Sequence, residues 1–128
     1  MMRAEGTFEV KRTAEAVHAA AEGLVGRHAL DKTYHGDLTA TGIGEMLSAG
    51  TATPGSAGYV AIEKVTGTLS GKTGSFYLQH SGTVTRGEGT LSIHVIPDSG
   101  TDELTGLSGT LQIVMKDGGH TYIFDYLL

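Results

Sequence analysis

Cysteine is absent from this chain of 128 residues. That absence excludes disulfides, zinc–thiolate sites, iron–sulfur clusters and thiol nucleophiles. Tryptophan is absent too, proline occurs only twice, and no stretch approaches the roughly 18 consecutive apolar residues of a membrane-spanning helix. A chain of this length can bury enough surface to fold without a disulfide or a metal. Because no linker divides it, we expect one domain over residues 1–128, with no cofactor.

Basic residues are too scattered to form a nucleic-acid interface. Nine Lys and Arg side chains stand against 14 Asp and Glu side chains, which gives a formal charge of -5. Nucleic-acid binders usually carry a basic stripe, whereas here only Lys11 and Arg12 are adjacent. The first six residues lack the apolar core of a secretory signal. We therefore expect a cytoplasmic protein that binds neither nucleic acid nor membrane.

Glycine is abundant, with 20 residues, which is about twice the usual share. The glycines separate runs rich in Thr, Val, Ile, Leu and Tyr, a pattern typical of strands joined by tight turns. Asp117–Gly118, between two alternating runs, predicts a hairpin, and Gly42 and Gly44 inside one run suggest a bend or a bulge. The predicted strands cover residues 7–11, 27–35, 38–47, 59–69, 75–85, 90–96, 107–116 and 120–127.

Long strands with internal glycines favour a closed antiparallel barrel over a sandwich. One segment departs from this pattern. Residues 13–22 are rich in alanine, start at Thr13 as a candidate N-cap and end at Gly23, so they predict a short helix. An irregular connection is the alternative. The expected fold class is all-β, an antiparallel barrel of about eight strands with a short N-terminal helix.

Several longer motifs follow one another along the chain at consistent spacing. They are Gly67–Phe76, Leu78–Gly82, Ile96–Thr101, Glu103–Gly109 and His120–Tyr126, with shorter segments at Gly6–Val10 and Gly36–Leu38. Together they resemble a bacterial domain family of unknown function whose known members fold as an allene-oxide-cyclase-like barrel. The resemblance implies eight strands and self-association, but no activity. The chain departs from it where family members often carry tryptophan after the first strand, and where Asp102 stands in place of glycine.

His80 is the first candidate for chemistry. Side chains alternate along a strand, so Phe76, Leu78 and His80 share one face. If that face lines the interior, His80 lies inside the barrel and would act as a general base or as a hydrogen-bond anchor for a ligand. The alternative is a structural histidine that bonds a neighbouring backbone or carboxylate group.

Glu63 is the second candidate. Lys64 is disfavoured inside a small core, which places Glu63 inward together with Tyr59, whereas Val60 and Ile62 argue for the opposite orientation. An inward Glu63 near His80 would form an acid–base pair with shifted pKa values. The alternative is a solvated or interface glutamate.

Aromatic and histidine side chains in the last strands add weaker candidates. Tyr122 and Tyr126 share a face, and alternating aromatic residues usually form core or oligomer contacts; a cavity wall is the alternative. His80, His94 and His120 lie on different predicted strands. No two histidines have the spacing of a common metal motif, so we predict no metal site.

Three functional hypotheses follow from these residues. The preferred one is a barrel that binds a small apolar molecule through Tyr59, Glu63, His80, Tyr122 and Tyr126; a cyclase- or isomerase-like rearrangement would rest on fold analogy alone. The second is a non-enzymatic homo-oligomeric module whose barrel is filled by side chains. The third is an acid–base enzyme, such as a hydrolase, that uses Glu63 and His80. A filled interior would count against the first and the third.

Overall fold

Eight antiparallel strands close into a barrel in the computed structural model, which describes residues 1–128. Each strand pairs with the next along the chain, and the first pairs with the last. The strands are β1 (Met2–Glu15), β2 (Gly26–Gly36), β3 (Leu38–Gly50), β4 (Ala57–Leu69), β5 (Lys72–Thr85), β6 (Glu88–Val95), β7 (Ser108–Lys116) and β8 (Gly119–Leu127). The predicted all-β barrel is confirmed. No helical segment has the length and hydrophobicity of a membrane span.

Three of the hairpins have two-residue turns with the same backbone signature. The turns are Ser70–Gly71, Arg86–Gly87 and Asp117–Gly118, and both residues of each have positive φ, between 46° and 92°. Two consecutive positive φ values define the type I′ turn, whose twist matches that of the flanking strands. Glycine at the second position takes this conformation at little cost. The hairpin predicted at Asp117–Gly118 is therefore confirmed.

The predicted helix over residues 13–22 is wrong. Thr13 and Glu15 continue β1, where they pair with Ala29 and Arg27 of β2. Only Ala19–Ala21 forms a single 3₁₀ turn. Alanine favours helix only weakly, and here the pairing of two long strands outweighs that preference. Of the bend or bulge suggested at Gly42 and Gly44, the bulge is absent, because the register of β3 with both neighbouring strands is continuous.

The interior of the barrel has two distinct halves. The half nearer the chain termini, here called the packed half, is filled by large side chains, including Phe76, Phe124 and Tyr126. The ring centroids of Phe76 and Phe124 lie 5.8 Å apart, and those of Phe124 and Tyr126 lie 5.2 Å apart. The buried hydroxyl of Tyr122 accepts the Leu38 N–H at 2.9 Å. This half is a conventional apolar core.

A segment between β6 and β7, residues 96–107, closes the end of the packed half. Its side chains Leu104 and Leu107 are 1 % and 2 % exposed. Its backbone bonds the edge of β5 beyond the end of β6, with the Thr101 N–H donating to the Ser75 carbonyl at 2.9 Å. Asp102 has a φ of 53°, a left-handed conformation that aspartate tolerates better than most residues. We call this segment the plug.

The outer surface of β3, β4 and β5 carries a run of large apolar side chains. Ile43, Leu47, Val60, Ile62 and Tyr77 are each between 39 % and 56 % exposed, and they border an outer groove of about 690 Å³. Contiguous apolar patches on a protein surface often mark contact sites. Self-association of the chain stays a prediction, and this outer patch is the surface at which a disruptive substitution would test it.

Shortening Leu104 tests the importance of the plug. We expect Leu104→Ala to lower the free energy of unfolding by about 2–5 kcal/mol, because the fully buried side chain leaves a cavity in the core. Leu127→Ala is the control, because that side chain is 53 % exposed and its loss should cost about 0.5 kcal/mol or less. Urea denaturation of both variants measures the difference, and equal losses would contradict a structural role for the plug.

Candidate functional site

The other half of the barrel contains a cavity of about 560 Å³. It opens at the end of the barrel that carries the Arg86–Gly87 and Asp117–Gly118 turns, opposite the plug. Its walls are mostly apolar and include Val10, Leu30, Met46, Ile113 and Met115. The interior is therefore filled only in the packed half, so the hypothesis of a completely filled barrel does not describe this structure.

Glu63 forms the polar floor of the cavity with three other side chains. Its carboxyl group is completely buried. Oε1 accepts hydrogen bonds from Nζ of Lys32 at 2.8 Å and from Nε2 of His80 at 2.7 Å. Oε2 accepts one from the hydroxyl of Tyr34 at 2.9 Å. We call Lys32, Tyr34, Glu63 and His80 the floor network.

Strand alternation and register bring the floor network together. On β4, Glu63 lies between the buried Ala61 and Val65, so all three face the interior. On β5, His80 pairs with Ala61, which places its ring one step toward the mouth from Glu63. On β2, Lys32 is two residues from Tyr34 and shares its inward face. The network therefore connects β4 and its neighbour β5 to β2, which is adjacent to neither of them.

Gly42 makes the contact between β2 and β4 feasible. It lies on β3, between those two strands, and pairs with Lys32 on one side and with Val65 on the other. A Cβ atom at this position would stand 2.2 Å from Oε2 of Glu63, a severe overlap. The absence of a side chain leaves space in which groups from β2 and β4 meet over the middle strand.

The floor network keeps Glu63 ionised. Burial of the carboxyl group opposes its ionisation, but the His80 hydrogen bond and the charge of Lys32 outweigh this, so the pKa of Glu63 lies below its usual value. Burial and the Glu63 charge together raise the pKa of Tyr34 well above 10, which keeps its hydroxyl a donor. Because a carboxylate can only accept hydrogen bonds, Nε2 of His80 carries the proton that it donates.

Of the predicted site residues, three meet at the cavity and two do not. Glu63 and His80 are joined at the floor. Tyr59 lines the cavity wall, and burial, followed by the Glu63 charge, raises its pKa. Tyr122 and Tyr126 are buried in the packed half and do not line the cavity.

Lys32 and Tyr34 were not predicted from the sequence as members of the site. Both lie in the predicted strand 27–35, which is polar overall, yet Leu30 and Tyr34 stand at alternate positions with Lys32 between them, so the three share one face. That alternation was the available signal. It was weak because a lysine on an inward face is uncommon unless a partner neutralises it.

The histidines of the last strands do not converge. His94 lies between the buried Ile93 and Val95, so alternation points it outward, away from His80. His120 lines the cavity with its ring stacked on Phe8, 4.9 Å between centroids. No group of three or more His, Cys, Asp or Glu side chains is arranged to hold a metal ion.

Glu63→Gln tests the energetics of the floor. We expect a loss of about 3–5 kcal/mol at neutral pH, because Lys32 would remain buried without its counter-charge. The folded-state pKa of Glu63 is lowered from 4.5, so its stabilisation is complete above that pH and is lost as the pH falls through the folded value. The gap between wild type and variant should therefore shrink in acid.

Urea unfolding between about pH 7 and pH 3 measures that gap. Asp125→Asn is the control, because it removes a carboxylate from an exposed pair with Arg3 and should have a much smaller effect. A Glu63→Gln loss as small as that of the control, or one that is constant down to pH 3, would contradict an ionised buried Glu63.

Comparison with known proteins places this geometry in a family. The family model described as protein of unknown function (DUF3224) matches residues 4–126. The chain is also similar to a protein of unknown function from the DUF3224 family of Shewanella oneidensis MR-1, whose crystal structure superposes with a TM-score of 0.94 at 52 % sequence identity and covers 100 % of this chain and 97 % of that one. No curated protein matches the sequence. Because the match spans nearly the whole chain, the chain belongs to the DUF3224 family of proteins of unknown function.

Proposed function

We propose that this protein binds a small, largely apolar molecule in the open half of its barrel. The cavity volume of about 560 Å³ lies within the roughly 300–1,000 Å³ typical of ligand sites. Apolar walls above a few placed polar groups are the usual composition of such sites. Tyr59, His80 and Lys32 supply those polar groups here.

The observation that carries the proposal is the contrast between the two halves of the barrel. The packed half shows that this fold can fill its interior with aromatic and aliphatic side chains. At the floor it instead buries Lys32, Glu63 and His80, although an apolar replacement for a buried ion pair is often neutral or stabilising. A costly polar floor below an open apolar space supports a role in binding rather than in stability.

The wall of the cavity supports the same conclusion. Nδ1 of His28 is buried without a hydrogen-bond partner, and His28 lines the cavity. Buried polar atoms in native proteins are nearly always paired. Lys32 donates one of its three N–H groups to Glu63, which leaves two for other acceptors. The site therefore has unused capacity to bind an oxygen atom of a ligand.

Closing the cavity tests the proposal. Ala57 faces the mouth on the inner side of β4, so Ala57→Trp should fill the entrance with an indole ring. We expect this variant to lose binding of N-phenyl-1-naphthylamine, a neutral dye that fluoresces in apolar surroundings, by about tenfold or more. Fluorescence titration measures the affinity. Val60→Trp is the matched control, because it adds the same ring to the outer face of the same strand.

The two variants separate the outcomes. Retained binding in Val60→Trp with loss in Ala57→Trp supports the cavity as the site. Loss in Val60→Trp with retention in Ala57→Trp would assign the dye to the outer patch and overturn the proposal. Absence of dye binding to the wild-type protein would also overturn it.

Acid–base catalysis is a second candidate function, favoured by the contact between Glu63 and His80. Their 2.7 Å hydrogen bond fixes the imidazole with its proton on Nε2, which leaves Nδ1 of a neutral His80 as the proton acceptor. A histidine oriented by a carboxylate at an apolar cavity is a common arrangement for a general base. A substrate with an acidic C–H bond would suit it.

The base-catalysed ring opening of 5-nitrobenzisoxazole tests this second candidate. Nδ1 of His80 would take the C3 proton while the N–O bond breaks, giving a nitrile and a coloured phenolate. We expect a rate above that of buffer, reduced about tenfold or more in His80→Gln and also in Ala57→Trp, with Val60→Trp unchanged. A wild-type rate equal to buffer, or an unchanged rate in His80→Gln, would contradict the candidate.

A further inference from the structure

The cavity lining differs in charge from the rest of the molecule. The whole chain has 14 acidic residues and a formal charge of -5. The lining contains no Asp or Glu, because the Glu63 carboxyl group of the floor network has no exposed surface. It includes Arg12, Lys32 and the imidazoles of His28, His80 and His120. An acidic protein thus carries a cavity in which every ionisable side chain except the phenol of Tyr59 is basic.

The two permanent cations of the lining are not equivalent. The charge of Lys32 is compensated, because its ammonium group contacts Glu63 at 2.8 Å. Arg12 takes part in none of the ion pairs of the structure. It lies on β1, where it pairs with Leu30 of β2. Along the inward face of β1 the order toward the mouth is Phe8, Val10 and Arg12, so Arg12 lies at the mouth. Arg12 is the uncompensated cation of the cavity.

We infer that the ligand is an amphiphilic organic anion whose acidic group pairs with Arg12 at the mouth and whose apolar body occupies the cavity. This inference rests on the proposed function and narrows it to a class of molecule. A guanidinium group presents a planar pair of N–H donors that fits a carboxylate or a sulfonate. The apolar body replaces water along Val10, Leu30 and Ile113, which is favourable in proportion to the area covered.

A second placement of the acidic group, at the floor, is disfavoured by charge. An anion there would approach the ionised carboxyl group of Glu63, and like charges interact strongly where the dielectric constant is low. At the mouth, the charged side chain that lines the cavity is the cation Arg12. The floor donors then remain available for a neutral oxygen atom at the inner end of the ligand.

Two dyes that differ only in one acidic group test the inference. N-phenyl-1-naphthylamine is neutral, and 1-anilinonaphthalene-8-sulfonate is the same skeleton with a sulfonate. We expect Arg12→Gln to weaken binding of the sulfonate by roughly three- to fivefold at low ionic strength and to leave binding of the neutral dye within about twofold. Added salt should reduce the difference.

Lys11→Gln is the matched control. It makes the same change of net charge at the adjacent position, whose side chain lies on the outer face of β1. Both dyes should bind this variant within about twofold of wild type. Ala57→Trp should abolish binding of both dyes, which assigns them to the cavity.

Each outcome has a distinct meaning. Equal weakening of both dyes by Arg12→Gln, or equal weakening of the sulfonate by Arg12→Gln and Lys11→Gln, would overturn the inference of an anionic ligand. In either case the proposed function would stand, provided that Ala57→Trp still removes the neutral dye. Failure of the neutral dye to bind, or its retention in Ala57→Trp, would overturn the proposed function itself.

Discussion

The negative charge of Glu63 is the constraint around which the open half of the barrel is organised. An ionised carboxyl group with no solvent exposure is tolerated only when donors and an opposite charge surround it. Here Lys32, Tyr34 and His80 supply them from β2 and β5. Gly42 supplies the space. A change at any of these positions alters the environment of the same carboxyl group, so the network functions as one unit rather than as separate contacts.

Much of the fold could be predicted from the sequence because its signals are local. Alternation over residues 59–69 and 75–85 and the Asp117–Gly118 pair depend only on neighbours along the chain, and they identify strands and turns correctly. The same alternation identified Glu63 and His80 as residues that share a surface with apolar neighbours. Nonlocal pairing determined the rest: residues 13–22 have a helical composition, but the long partner strand draws Thr13–Glu15 into the sheet.

The complete site could not be predicted because it depends on the register of separate strands. Alternation with Leu30 and Tyr34 is a weak signal that Lys32 faces inward, and it becomes decisive once Glu63 is known to face Lys32 across β3. Tyr122 and Tyr126 share a face that does line the interior, but alternation gives no information about height along the barrel axis. Strand order places the connection between β6 and β7 at the end of the barrel that carries the chain termini. Alternation along the strands does not show that residues 96–107 fold inward and fill that end.

The plug gives the barrel a direction. Leu104 and Leu107 close one end of the barrel, so its interior opens to solvent only at the opposite end. Under the proposed function, a ligand that enters past Ala57 would have to leave by the same route and could not pass through the barrel to the far side. Its residence time then depends on passage through the rim as well as on its contacts inside the cavity. Substitutions at the rim would tune how long a guest stays, while the buried floor would tune which guest is held.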